Sequence, residues 1–179
     1  MILLLYNDNF FVNCLCDSQI NLQSTLIPKE STDNSTEVIL NLRKDNIKFK
    51  LANIKPWAGP TPSTLLGIDL TDKGNYLTVI DCDLQDPPEL IAENLNLIEN
   101  NDIVHFVRKK RDDSFFQRIY TYIAYFILNL ISFGKIERNA GHFKIVSPEL
   151  VEKLQKNTLR HPYMNYFFSR YAKNPKRVF

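Results

Sequence analysis

Val79-Ile80-Asp81-Cys82-Asp83-Leu84-Gln85-Asp86-Pro87-Pro88-Glu89 is the stretch from which the fold can be read. Tyr76–Asp81 is dense in β-branched and apolar residues and follows the turn formers Gly74-Asn75, so it reads as a buried strand. A helix is expected at once behind it, with Asp86 as N-cap, Pro87 in the first helical position and Glu89 closing a capping box. Ile91, Leu95 and Ile98 then recur at i, i+4 and i+7 on one apolar face. Open α/β sheets gather ligands where strands end, and this strand ends in two carboxylates one residue apart. Asp81 and Asp83 share one side of an extended chain. They supply the hard oxygens that Mg²⁺ or Mn²⁺ prefers and leave positions for diphosphate oxygens. Gln85 adds a neutral oxygen or a water-bridged contact. A lone Asp-x-Asp is more often a polar strand end with capping acids; here the longer string argues for a site.

Outward from that centre, strands alternate with helices. Ile2–Tyr6, Leu22–Ile27, Ile47–Ile54, Ile103–Val107 and Phe143–Val146 read as strands. Thr36–Arg43 reads as a short helix, Lys55–Pro62 with its three prolines as a loop, and Ser147-Pro148-Glu149 as the start of a capped helix to about Gln155. Arg160–Phe179 has six aromatic residues but little periodicity and is left unassigned, except that Val178-Phe179 reads as the beginning of a strand. The alternation predicts an α/β fold, a Rossmann-like, mainly parallel sheet flanked by helices, in one domain spanning 1–179.

Charge divides that domain. Residues 1–107 hold 7 Lys+Arg against 15 Asp+Glu, a net of −8, and residues 108–179 hold 15 against 5, a net of +10. The acidic half suits a cation; the basic half suits phosphates or an anionic membrane. Nucleic acid is disfavoured as a partner, because the basic half carries no recognised module and the acidic half would repel a phosphate backbone. Three cysteines, Cys14, Cys16 and Cys82, make no disulfide framework, and Cys14-x-Cys16 has no second pair for zinc, so a reducing, cytoplasmic setting fits. The longest uncharged run, Ile119–Gly134, has sixteen residues, whereas a membrane-spanning helix needs about 20. It is expected to be a helix of the core, or else one at a membrane interface with Tyr120, Tyr122, Tyr125 and Phe126 beside basic residues.

Asp81-x-Asp83-Leu84-Gln85-Asp86-Pro87-Pro88-Glu89 resembles the signature of family 2 glycosyltransferases of the polyprenyl-phosphate branch, such as dolichyl-phosphate mannose synthase and undecaprenyl-phosphate sugar transferases. The likeness continues in Ile103–Val107 followed by Arg108, in Arg111-Asp112-Asp113-Ser114 with Arg118, and in Gly141-His142-Phe143-Lys144, similar to the family's Gly-Asp-Phe-Arg. It covers about residues 65–155 well. The resemblance implies a GT-A fold, a nucleotide-diphosphate sugar as donor, a polyprenyl phosphate as acceptor, and inversion at the anomeric carbon. It assigns Asp81 and Asp83 to the metal (Mg²⁺ or Mn²⁺) and the donor, with Gln85 nearby. Tyr6 and Asp8, from the family's Tyr-Asn-acid element, join the donor side. Arg108 and Arg118, then Arg111 and Lys144, would position the acceptor phosphate. Residues 1–107 become the donor and metal half, and 108–179 the acceptor half, of a protein peripheral to the cytoplasmic face of a membrane.

Other positions depart from the pattern. The family's second strand ends in Asp-Asp-Gly-Ser-x-Asp, whose first acids hold the nucleoside, where this chain has Pro28-Lys29-Glu30-Ser31-Thr32-Asp33. Of the family's Asn-x-Gly, only Gly59 remains. The pattern also runs on past the position of Phe179 with a basic segment and often transmembrane helices. Two readings therefore stand: a working transferase with an unusual hold on the nucleotide, or a degenerate relative that binds phosphates or a membrane surface without turnover.

Overall fold

The computed structural model describes residues 2–6, 23–26, 37, 41, 49–51, 59–81, 86–107, 115–131, 140–157 and 162–179. In chain order the elements are β1 (Ile2–Tyr6), β2 (Gln23–Leu26), β3 (Phe49–Leu51), α1 (Pro60–Asp69), β4 (Leu77–Asp81), α2 (Glu89–Glu93), α3 (Leu95–Ile98) and β5 (Ile103–Val107). They are followed by α4 (Phe115–Ile131), β6 (Ala140–Val146), α5 (Pro148–Gln155), α6 (Met164–Tyr171) and β7 (Pro175–Val178). Of the helix expected over Thr36–Arg43, Glu37 and Asn41 are described; both are helical and exposed.

The strands form one sheet in the order β3-β2-β1-β4-β6-β5-β7. Only β6 runs against its neighbours, β4 and β5; every other pair is parallel. The α/β, mainly parallel expectation holds. Because β6 inserts between β4 and β5, the acidic and basic halves of the chain share one sheet.

Both faces of the central strands are covered, as parallel strands require. Leu77, Val79, Ile103 and Val146 point to one face, where Ile68 of α1, Leu150, Val151 and Leu154 of α5, and Met164, Phe167 and Phe168 of α6 close a continuous core. On the other face α3 lies against β5 and β6. There the Phe106 and Phe143 rings stack 4.1 Å apart, and Ile91 and Ile98 are buried as well. Gln155 joins α5 to the end of α1, donating to the Ile68 and Thr71 carbonyls at 2.8 and 2.9 Å. Ser147 caps α5 as read from the sequence, its Oγ accepting from the Leu150 amide at 3.3 Å.

Several local expectations fail for identifiable reasons. Lys55–Pro62 is not all loop: α1 begins at Pro60, where a missing N–H costs no hydrogen bond. Gly59 leads into it at φ 94°, a backbone state that favours glycine. Asp86 is not the N-cap residue of the helix behind β4. The helix starts at Glu89 with Pro88 as its N-cap residue, and Asp86 is buried. The expected continuous helix is two short ones, α2 and α3. They break at Asn94, whose side chain donates to the Leu90 carbonyl at 2.9 Å and competes with the backbone.

The largest correction concerns α4. The core-helix reading is overturned, since Tyr120, Tyr122, Ile123, Phe126, Ile127 and Leu130 are all at least half exposed. Arg160–Phe179, unassigned from sequence, supplies α6 and the edge strand β7, which pairs with β5.

Candidate functional site

Because β1, β4, β5 and β7 run in one direction, their carboxyl ends meet at a single edge of the sheet, where antiparallel β6 begins. The chain winds away from β1 to β2 and β3 on one side and to β4 on the other, so the topological switch falls between β1 and β4. Ligand crevices of α/β sheets open at such a point. Tyr6 and Asp81 are register partners there. Two residues far apart in sequence, both assigned to the donor side, are thereby placed next to each other. The end of β5, which leads directly to Arg108, and the start of β6 at Ala140-Gly141-His142 lie on the same edge.

Asp81 is half-buried and described. Asp8, Asp83, Gln85, Arg108 and Arg111 lie outside the described residues, as do Pro28 and Lys29. Tyr6 and Arg118 are placed by their elements only, in β1 and the first turns of α4.

Lys144 is placed most firmly. It pairs across the sheet with Val79 on one side and His105 on the other, which sets it on the face of β4 that carries Asp81. Its side chain is wholly enclosed, which takes it out of contact with an acceptor phosphate, the role that the family resemblance implies for it. The Nζ donates to Asn165 Oδ1 at 2.9 Å and sits 4.7 Å from the centre of the Phe168 ring. Burial pushes its ammonium down to about 7, against the opposing pull of the Asp81 carboxylate. From Asn165 the polar contacts continue to the Tyr163 hydroxyl and on to Tyr125 of α4. A chain of hydrogen bonds thus links α4 to the lysine beside the strand-end acid. Sequence reading missed Asn165 and Tyr163; the lysine was found only through the family motif.

His105 was missed as well. The alternation Ile103-His105-Val107 carries the signal, for it sets a histidine on the face that packs into the core. It is fully buried, and neither ring nitrogen has a hydrogen-bond partner among the described residues. Burial, then the positive charges of Lys144 and Arg177, push its imidazole down to about 3. Lys144 and Arg177 flank it in register. The unfolded chain therefore binds a proton below the ordinary 6.5 that the folded chain refuses until about 3. Stability should fall as pH drops through that window, with a slope of up to about 1.4 kcal/mol per pH unit from this group. His105→Leu should reduce the slope, read as urea midpoints against pH, while holding stability at pH 7, because it removes an unpaired buried group. An unchanged slope would contradict this.

Metal chemistry fits the strand-end acids. Two carboxylates one residue apart are hard oxygen donors suited to Mg²⁺ or Mn²⁺. The one that is described, Asp81, is half-buried at the switch point and not enclosed in the core. Among the described residues no three His, Cys, Asp or Glu side chains gather into a metal cluster.

Comparison with known proteins agrees with this geometry. The family model described as glycosyl transferase family 2 matches residues 21–155. A bactoprenol glucosyl transferase of Shigella phage SfX is 34% identical over 144 residues, covering 78% of this chain and 47% of that protein. An uncharacterized glycosyltransferase of Synechocystis is 28% identical over 141 residues, 78% of this chain and 44% of its own. The chain spans about half the length of the curated relatives it matches. Among solved structures, S. aureus TarS 1-349 superposes with a TM-score of 0.65 over 99% of this chain and 57% of its own, at 11% identity. Glucosyl-3-phosphoglycerate synthase from Mycobacterium tuberculosis, in complex with Mn²⁺, UDP-glucose and phosphoglyceric acid, gives 0.54 over 83% of this chain and 56% of its own, at 15% identity. The fold is of the GT-A type, and the chain belongs to glycosyl transferase family 2.

Proposed function

We propose that this chain is the GT-A part of an inverting, metal-dependent glycosyltransferase that moves a sugar from a nucleotide-diphosphate donor to a polyprenyl phosphate, undecaprenyl or dolichyl. The observation that carries the reading is the position of Asp81, at the end of β4 beside Tyr6 at the switch point, heading the string Asp81–Glu89. Support for the acceptor comes from a relative named bactoprenol glucosyl transferase, and for a divalent metal from a structural neighbour solved with Mn²⁺ and UDP-glucose.

In this reading Asp81 and Asp83 hold the metal and thereby the donor diphosphate, with Gln85, Tyr6 and Asp8 alongside. The metal, when bound, neutralises charge on the departing nucleotide diphosphate. An acceptor phosphate oxygen attacks the anomeric carbon from the face opposite the leaving group, and the bond from that carbon to the diphosphate oxygen breaks. The acceptor is already an anion, so it needs little base catalysis. It does need to be held against a negatively charged donor, and Arg108 and Arg118, with Arg111, are suited to that role. Lys144 supports the site from beneath, through Asp81. Residues 1–107 then form the donor half and 108–179 the acceptor half of one domain working at the cytoplasmic face of a membrane.

Pro28-Lys29, at the position of the family's nucleoside-binding acids, favours a second reading, a phosphate- or membrane-binding relative without turnover. Calorimetric titration with UDP- and GDP-sugars, with and without Mn²⁺, followed by a short-chain polyprenyl phosphate, separates them. Metal-dependent donor binding followed by release of free nucleotide supports the transferase. Absence of both overturns it.

A further inference from the structure

The enclosed ammonium of Lys144 stands between two acceptors of different kinds. Lys144 pairs with Val79 across the sheet, so Asp81, two residues further along β4, is its diagonal neighbour on the same face. Diagonal neighbours lie about 7–8 Å apart, within reach of a long side chain. The Asp81 carboxylate acts on the ammonium through charge, while the hydrogen bond goes to Asn165 Oδ1 at 2.9 Å. Asn165 is half-buried in the first turn of α6. Its amide has one orientation that serves both neighbours: Oδ1 accepts from Lys144, Nδ2 donates to the Tyr163 hydroxyl, and that hydroxyl donates in turn to Tyr125. Turned over, the amide would set its NH2 against an ammonium, donor against donor. A buried ammonium that lost this acceptor would need another. A carboxylate binds it more strongly than a neutral group such as the imidazole of His105, its register partner.

We propose that Asn165 is a positioning residue of the metal site: by taking the hydrogen bond of Lys144 it keeps the ammonium from closing on Asp81 as an ion pair, which a divalent cation would have to displace. Tyr163 is its anchor, fixing which end of the amide the lysine meets. The arrangement accounts for a lysine standing beneath a cation site, where two positive charges would otherwise compete for one carboxylate. The inference rests on the reading of Asp81 as a metal ligand and deepens it. It adds a residue that lies past residue 155, where the family match ends, and that comes from a helix the sequence left unassigned.

The test is Mn²⁺ binding by the full chain without nucleotide or lipid, followed as free Mn²⁺ by electron paramagnetic resonance. Asn165→Leu should raise the dissociation constant about five- to tenfold, with the helical circular dichroism unchanged. Tyr163→Phe keeps the ring without the hydroxyl and should give a smaller rise in the same direction. Asn165→Asp should bind Mn²⁺ at least as tightly as wild type, because its carboxylate takes the ammonium. In a Lys144→Met background, Asn165→Leu should have no further effect, since no ammonium remains to close on Asp81. A loss caused by disturbed packing would persist there. Equal affinities for wild type and Asn165→Leu overturn the proposal, as does a loss that persists in Lys144→Met or that Asn165→Asp shares. Mn²⁺ bound by wild type but unaffected by Asn165→Leu removes this inference alone. No binding by wild type, or binding that survives Asp83→Ala, removes the metal reading and this inference with it. Absence of sugar transfer with the Mn²⁺ pattern as expected removes only the transferase reading.

Discussion

Asp83→Ala is expected to lower the rate of sugar transfer by about 10³-fold while leaving the urea midpoint close to that of wild type. A bound divalent cation stabilises developing charge by several kcal/mol, and three decades of rate correspond to about 4 kcal/mol. The loss should fall on donor binding and turnover in Mn²⁺ and shrink when both proteins are assayed with the metal chelated. Stability should hold because Asp83 follows the last residue of β4 in sequence. Comparable rates for the two proteins would show that the metal is held elsewhere.

Lys144→Ala should destabilise the fold by about 2–4 kcal/mol at pH 7, the effect of deleting a long buried stem from a space too tight to collapse. Asn165 would also lose its lysine donor and Phe168 its cation. Lys144→Met keeps most of the volume without the charge and should stay within about 1 kcal/mol of wild type. The pH dependence distinguishes the two causes. The folded lysine deprotonates near 7 and the unfolded one near 10.5, so between those values the unfolded chain binds more protons. Wild-type stability should therefore rise with pH across that window, by up to about 1.4 kcal/mol per unit, and the rise should vanish in Lys144→Met. Chemical denaturation from pH 7 to 10 measures both effects. A neutral Lys144→Ala would mean that the side chain is not enclosed.

The parts of the fold legible in the sequence are those where one residue pattern admits one environment. Leu77, Val79 and Ile80 stand out as a buried run because β4 is covered on both faces, with Thr78 buried among them, and Ser147-Pro148-Glu149 is a local cap that needs no tertiary partner. Phe143–Val146 was legible as a strand but not in its direction: antiparallel insertion between β4 and β5 is set by long-range pairing. Met164, Phe167, Phe168 and Tyr171 do follow a helical period, yet eight residues among prolines and cations give it little length to stand out. In α4 the sequence is apolar nearly all round, which fixes a helix and leaves its buried side open, so the core reading could not foresee that Tyr120, Tyr122, Ile123, Phe126, Ile127 and Leu130 are exposed.

The site divides in the same way. Asp81 was legible because carboxylates at a strand end stand out against an apolar run, and its neighbour Tyr6 because the family pattern names it. Asn165, Tyr163 and His105 were not. They reach the neighbourhood of Lys144 through pairing and helix docking across 19 or more residues of chain, and none belongs to a local motif.

The most direct measurement is the formation of a lipid-linked sugar when the chain is incubated with Mn²⁺, labelled UDP- and GDP-sugars and a short-chain polyprenyl phosphate. Organic-soluble label that requires the lipid phosphate, disappears with EDTA and returns with added Mn²⁺ is the predicted result. No transfer from any donor, in a preparation that folds and that binds no nucleotide in the presence of metal, would contradict it.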